Sequence, residues 1–178
     1  MRRVVVVGIP GAGKSTLARW VALRHDLPFH ELDGFVEGPG WTRLPDYRER
    51  ITEMVAGESW VTDGLLYPEG VEQLLLSRAD TVVWLDLPRG LVVRRLVRRT
   101  LRRGLPPRPV LVNGNREHLW AVLLPDSPLR TAWRDHASYR ERIGAALGAT
   151  GAQVFRLSSA AEVVAWMTGQ GTAPPQAT

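Results

Sequence analysis

Val4-Val5-Val6-Val7-Gly8-Ile9-Pro10-Gly11-Ala12-Gly13-Lys14-Ser15 stands near the amino terminus, and its reading decides the fold. Residues 8–15 fit the pattern G-x-x-x-x-G-K-[ST], the phosphate-binding P-loop. Its glycines let the backbone curl tightly enough for successive N–H groups to point inward at a polyphosphate. Lys14 then reaches the outer phosphates, and the Ser15 hydroxyl is placed to ligate Mg²⁺. The flanks agree: residues 3–7 read as a buried β-branched strand, and residues 15–24 as a helix whose N-terminus adds its dipole to the anion site.

Working outward, 178 residues suit a single domain, here expected over residues 1–168. The absence of cysteine removes disulfides and thiolate chemistry, which fits a reducing cytoplasm. No apolar run approaches the roughly 20 residues that span a bilayer. Arg2-Arg3 before the valines resembles a leader, but its apolar part is too short. We therefore expect a cytoplasmic monomer or homodimer without a membrane partner. A net charge of +5 and an isoelectric point near 10.6 raise nucleic acid as a partner. Of the 23 basic residues, however, 22 are arginine. The single lysine is Lys14, where a P-loop needs a compact ammonium acting as a point charge.

Strand and helix patterns alternate along the chain. Residues 27–32 read as a second strand ending at Asp33-Gly34, and the Gly/Pro/aromatic stretch 35–45 as a loop. A helix over 46–56 closes at Gly57, and strand three, 60–62, ends in Asp63-Gly64. A helix near 69–76 leads to strand four, 81–85, which ends in Asp86-Leu87-Pro88. Residues 89–103 form an arginine-dense helical pattern, and 104–116 lack periodicity. One long helix over 127–147 starts at Ser127-Pro128, before strand five (153–157) and a last helix (160–167). Residues 169–178 read as a disordered tail. Such alternation indicates an α/β fold with a parallel sheet and helices on both faces. Ligands then bind beyond the carboxyl ends of the strands, so Asp33, Asp63 and Asp86 could all face the phosphate site, Asp86 the weakest of the three because an acid before Pro88 more often shapes the turn.

Residues 8–16, Val61-Thr62-Asp63-Gly64, and Leu85-Asp86-Leu87-Pro88 followed by Arg95 and Arg99 resemble the nucleoside-monophosphate-kinase-like branch of P-loop enzymes. His30-Glu31-Leu32-Asp33, Trp41 and Asn113-Gly114-Asn115-Arg116-Glu117 add a resemblance to the small bacterial adenylate-kinase-like, or DNA topology modulation protein-like, kinases. The resemblance implies a five-stranded sheet of order 2-3-1-4-5, with an acceptor-side arm at about 34–58 and a lid at about 104–118. It implies ATP, or another nucleoside triphosphate, and Mg²⁺ as cofactors. Gly8, Gly11, Ala12, Gly13, Lys14, Ser15 and Thr16 would hold the nucleotide with Arg95 and Arg99 as phosphate clamps, and Ser15 and Asp63 the metal. Adenylate kinases follow the Asp-Gly with Phe-Pro-Arg, whose arginine grips the acceptor phosphate. Here the chain reads Leu65-Leu66-Tyr67, so that grip is missing.

The expected activity is transfer of a terminal phosphoryl group to a small-molecule acceptor, a nucleoside or nucleotide or a specialised hydroxyl compound. Lys14, Arg95 and Arg99 would stabilise the transferred charge, and Asp33 would orient the acceptor and take its proton. Glu31, two residues earlier on the same face, is the reserve acid. Asp33-Gly34 and Asp63-Gly64 also read as turns. Trp41 and Arg43 would border the acceptor, and Asn115 and Arg116 would close over it from the lid; Arg140 is a weaker candidate. The alternative function is a basic nucleic-acid-associated NTPase or binding module, with the arginine helix tracking phosphates.

Overall fold

The computed structural model describes residues 1–65, 70–104, 111–115 and 127–169. Five parallel strands run in the order β2-β3-β1-β4-β5, as the sequence implied. They are β1 (Arg3–Gly8), β2 (Phe29–Glu31), β3 (Trp60–Asp63), β4 (Thr81–Leu85) and β5 (Gln153–Leu157). The helices are α1 (Lys14–His25), α2 (Asp33–Val36), α3 (Tyr47–Ala56), α4 (Val71–Arg78), α5 (Arg89–Gly104), α6 (Pro128–Arg134), α7 (His136–Leu147) and α8 (Ala160–Thr168).

The four valines of β1 explain the layering. All four are fully buried, because β1 lies in the middle of the sheet and both of its faces are covered. Side chains alternate along a strand. Val4 and Val6 join the cluster with Leu17, Val21, Leu96 and Trp166, whereas Val5 and Val7 join the cluster with Val36, Ile51, Leu75 and Ile143. Burying a side chain of this size contributes about 1.5–3 kcal/mol, so this short strand anchors two cores. At the strands' amino-terminal end, Asp80 accepts hydrogen bonds from the Arg2 and Arg3 N–H groups and the Thr81 hydroxyl. Burial raises its carboxyl affinity for a proton, but those donors outweigh the effect and hold it below the usual carboxylate value.

Three expected boundaries change. Residues 35–45 are not a plain loop: the chain turns into α2 at Asp33, then forms a 3₁₀ turn at Pro39–Trp41 and a bridge between Glu37 and Arg43. Strand β2 stops at Glu31 because the next free N–H, that of Leu32, bonds Asp63 Oδ1 at 3.2 Å instead of a neighbouring strand. The long helix expected over 127–147 is broken at Asp135, whose backbone (φ −103°, ψ 13°) leaves the helical region. Aspartate competes for local hydrogen bonds inside helices. Here α7 restarts on the Asp135 carbonyl, which accepts from the Tyr139 N–H at 2.8 Å and the Ser138 hydroxyl at 3.0 Å. The Ser127 cap is as expected, its hydroxyl accepting from the Arg130 N–H. Of the expected lid, residues 105–110 and 116–118 lie outside the described residues, as does the tail beyond Gly169. No helix among the described residues is long and apolar enough to cross a membrane.

Candidate active site

A cavity of about 980 Å³ opens at the carboxyl ends of β1, β2 and β3, and its floor is the P-loop. The loop is closed by the Ala12 N–H bonding the Ile9 carbonyl at 3.0 Å. Gly13 caps α1 in the left-handed region (φ 103°), with no side chain satisfying the helix's first N–H groups and no acid in its first turn. Those donors and the helix dipole are left for an anion. Gly11 also has positive φ, 86°, and a Cβ there would stand 2.4 Å from Leu96 Cγ. Gly11→Ala therefore combines a strained backbone with overpacking against a buried leucine, and should cost about 1–3 kcal/mol. Thermal unfolding against the parent chain checks this.

Helix α5 crosses above the loop. Arg95 Nη1 donates to the Ala12 carbonyl at 2.8 Å, which fixes its guanidinium beside the loop. Arg99 and Arg103, on the same face, also line the cavity, while Arg94, Arg98 and Arg102 are exposed to solvent. Lys14 lies in the cavity with its ammonium 3.5 Å from the Ile9 carbonyl. Burial holds that ammonium below the ordinary lysine pKa; Asp63 and Asp33 push it back up, and Arg99 lowers it further.

Two of the three strand-end acids face the cavity. Asp63, buried at the end of β3, lines it while its Oδ1 accepts the Leu32 N–H. Its structural and cavity-facing roles coexist, because a carboxylate has lone pairs for both. Asp33 reaches the cavity as the first residue of α2. Asp86 does not. It is taken by Arg156, from Nε at 2.9 Å and Nη2 at 2.6 Å, and by Arg140 Nη2 at 2.9 Å. Strand β5 supplies one of these partners and α7 the other, so the expectation that Asp86 faces the phosphate is corrected, and Arg140 holds Asp86.

The acceptor-side residues divide in the same way. Trp41 lines the cavity, half exposed. Arg43 is not among the lining residues; its guanidinium lies over the Tyr47 ring at 5.7 Å. Asn115 is buried, with both amide atoms bonded to the backbone at Gly38 and Trp41. Arg116 lies outside the described residues. Unforeseen lining residues include Arg19, Arg103, Leu111 and Tyr139. Arg19 was legible: it follows Ser15 by four positions, hence on the same helix face, and its Nη2 sits 2.8 Å from Glu31 Oε2. Glu31, the reserve acid, also lines the cavity. Burial raises its pKa, and the Arg19 guanidinium opposes this.

The donor set suits a hard cation. Among the described residues no three His, Cys, Asp or Glu form a metal cage, and Mg²⁺ is ordinarily held by one or two protein oxygens with waters and substrate phosphates. The Ser15 hydroxyl and the Asp63 carboxylate, both on the cavity, provide that kind of set.

No protein-family model matches the chain. A shikimate kinase of Corynebacterium glutamicum is 30% identical over 155 residues, covering 78% of this chain and 85% of that one. A shikimate kinase of Rhodopseudomonas palustris is 32% identical over 118 residues, 57% of each chain, so the match spans little more than half of that relative. Among solved structures, the shikimate kinase of Acinetobacter baumannii in complex with shikimate superposes with a TM-score of 0.57 at 18% identity, covering 97% of this chain and 96% of that one. A gluconokinase of Sinorhizobium meliloti gives 0.52 at 18% identity, with 96% and 93% covered. These superpositions concern the fold.

Proposed function

This chain belongs with the shikimate kinases in the nucleoside-monophosphate-kinase-like class of P-loop kinases, and on that premise we propose that it transfers the terminal phosphoryl group of ATP to a hydroxyl of a small molecule. One observation carries the reading: the open helix N-terminus at Gly13 and the carboxylates Asp33 and Asp63 share a single cavity. A simple nucleotide-binding module needs the first and has no use for an acid at the acceptor end.

In this reading Gly11, Ala12, Gly13, Ser15 and Thr16, which line the cavity, cradle the phosphates, with Gly8 opening the loop from within its packing on Leu85, and Lys14, Arg95 and Arg99 balance the charge that moves between donor and acceptor. Ser15 and Asp63 hold Mg²⁺, which when bound neutralises the phosphate oxygens. Asp33 orients the acceptor hydroxyl and receives its proton. Trp41 offers a ring face to the acceptor. Arg43 reaches the acceptor only by leaving Tyr47.

A transfer assay with γ-labelled ATP and Mg²⁺ over shikimate, gluconate, nucleosides and nucleoside monophosphates tests this. We expect label in one hydroxyl acceptor, with ADP released in equal amount. Equal ATP consumption with and without every acceptor would count against it. The nucleic-acid alternative keeps one supporting observation, the exposed row of Arg94, Arg98 and Arg102 on α5. It requires DNA or RNA retention that falls steeply with salt.

A further inference from the structure

Two asparagines outside the P-loop hold the acceptor wall in place. The turn over residues 111–115 is closed by the Leu111 N–H on the Asn115 carbonyl at 2.7 Å, and amide side chains bond it to residues 34–41. Asn113 Nδ2 donates to the Gly34 carbonyl at 3.1 Å and to the Glu37 carbonyl. Asn115 Nδ2 donates to the Gly38 carbonyl at 3.0 Å, and its Oδ1 accepts the Trp41 N–H at 3.2 Å. Asn115 is 4% exposed, so it is a built element of the interior, and its amide gives one donor bond and one acceptor bond to main chain 74–77 residues away.

What these bonds hold is what matters. Helix α2 is a single turn, too short to be stable alone, and Asp33 is its first residue. Its carboxyl-terminal carbonyls are orphans by construction, and the Asn113 amide caps them at Gly34 and Glu37. Trp41 has φ 61°, a left-handed conformation uncommon for a bulky residue. Such strain persists only where surroundings over-determine it. The Gly38 N–H on the Thr42 carbonyl at 2.6 Å and the Thr42 hydroxyl on the Pro39 carbonyl close the turn around Trp41, and its N–H bond to Asn115 adds a determinant from outside the turn. Asn113 is itself left-handed, φ 54°, which asparagine tolerates better than most residues. The turn also brings Leu111 to the cavity that Trp41 lines.

We propose that Asn113 and Asn115 are positioning residues: they fix Asp33 through the far end of α2 and Trp41 through its backbone, so that the 111–115 turn and the 33–44 arm form one rigid acceptor wall. The assignment of Asn115 to direct substrate contact is replaced by this indirect role. The inference borrows only the name "acceptor wall" from the proposed function, and its test does not require turnover.

The test is amide exchange by NMR on the whole chain and on Asn115→Ala and Asn113→Gly, the latter keeping the left-handed backbone while removing the amide. Exchange at Trp41 and Leu44 should rise in Asn115→Ala, and at Glu37 in Asn113→Gly, by about five- to tenfold, the scale of one lost hydrogen bond. The core amides of β1 and β4 should stay as they were. The Trp41 share of the fluorescence, obtained by difference from Trp41→Phe, should become more quenchable by acrylamide in Asn115→Ala. Affinity for Mg·AMP-PNP should stay within about twofold, since neither residue lies on the P-loop side. Asn115→Asp keeps the acceptor for the Trp41 N–H, and should restore protection at Trp41. Unchanged exchange over 33–44, or a rise spread equally over the β-sheet, overturns the proposal, as does parallel loss of nucleotide affinity. Failure of the transfer assay leaves these outcomes unaffected.

Discussion

Lys14→Ala should abolish acceptor phosphorylation while leaving the fold intact. Lys14 is the single lysine of the chain, half-buried on the cavity at the start of α1. Its one protein hydrogen bond among those described is long, 3.5 Å to the Ile9 carbonyl, so the folded state gives up little when it is removed. The loss falls on the transition state. Removing one preorganised donor from a charge-stabilising site costs about 10²–10³-fold in rate, and a full ammonium is a stronger donor than a neutral N–H. Arginine should not substitute well, because the position needs a point charge that fits inside the loop. The protonation state gives a second check. Burial, with Arg99, keeps the ammonium below the ordinary lysine pKa despite Asp63 and Asp33. A polyphosphate arriving at the loop adds negative charge and raises that pKa, so binding between the lowered and ordinary values takes up a proton. Titration calorimetry of ATP binding in buffers of different ionisation enthalpy reads that uptake, and Lys14→Ala should remove it. The same depression means that the unfolded chain binds more protons there than the folded one, so this group's contribution to stability rises with pH across that window. Wild-type transfer by Lys14→Ala would refute the assignment of the site.

How far the sequence carried depended on the range over which each residue finds its partner. The P-loop and β1 were legible because their determinants are local: four adjacent valines, and glycines at fixed spacing from Lys14 and Ser15. The strand order came from a family resemblance, and the pairing of β1 with β3 and β4 bears it out. Two of the misreadings share a physical form. Asp33-Gly34 carries a turn signal, yet the chain enters α2 there, with Asp63 holding the Leu32 N–H from 31 residues away and Asn113 bonding Gly34 from 79 away. Asp86 occupies a strand end like Asp63, and only the arginines at 140 and 156 separate their fates. Neither case is visible in a window of local sequence. Asp135 is the opposite case: an aspartate inside a helical pattern is a local warning, and apolar periodicity on both sides masked it.

The second large effect separates the two readings of Asp33. As a turn residue it should tolerate asparagine, which has the same shape and favours the same turns. As the group that receives the acceptor's proton it should not, because the amide cannot take a proton at all. We expect Asp33→Asn to lower kcat by about 10²–10⁴-fold, with ATP affinity and Tm nearly unchanged. Glu31 is the internal control. It lines the same cavity, but one of its carboxylate oxygens, Oε2, is held at 2.8 Å by the Arg19 guanidinium, an ion pair that ties this acid to α1. Glu31→Gln should therefore act mainly on the acceptor's KM, by perturbing the wall next to Asp33. If the larger kcat loss falls on Glu31→Gln while Asp33→Asn keeps most of its rate, the two acids have exchanged roles. A rate loss in Asp33→Asn that comes with a clear fall in Tm, and that recovers when the assay is run well below the variant's Tm, would instead make Asp33 a support of α2, and the proton would need another acceptor on the cavity.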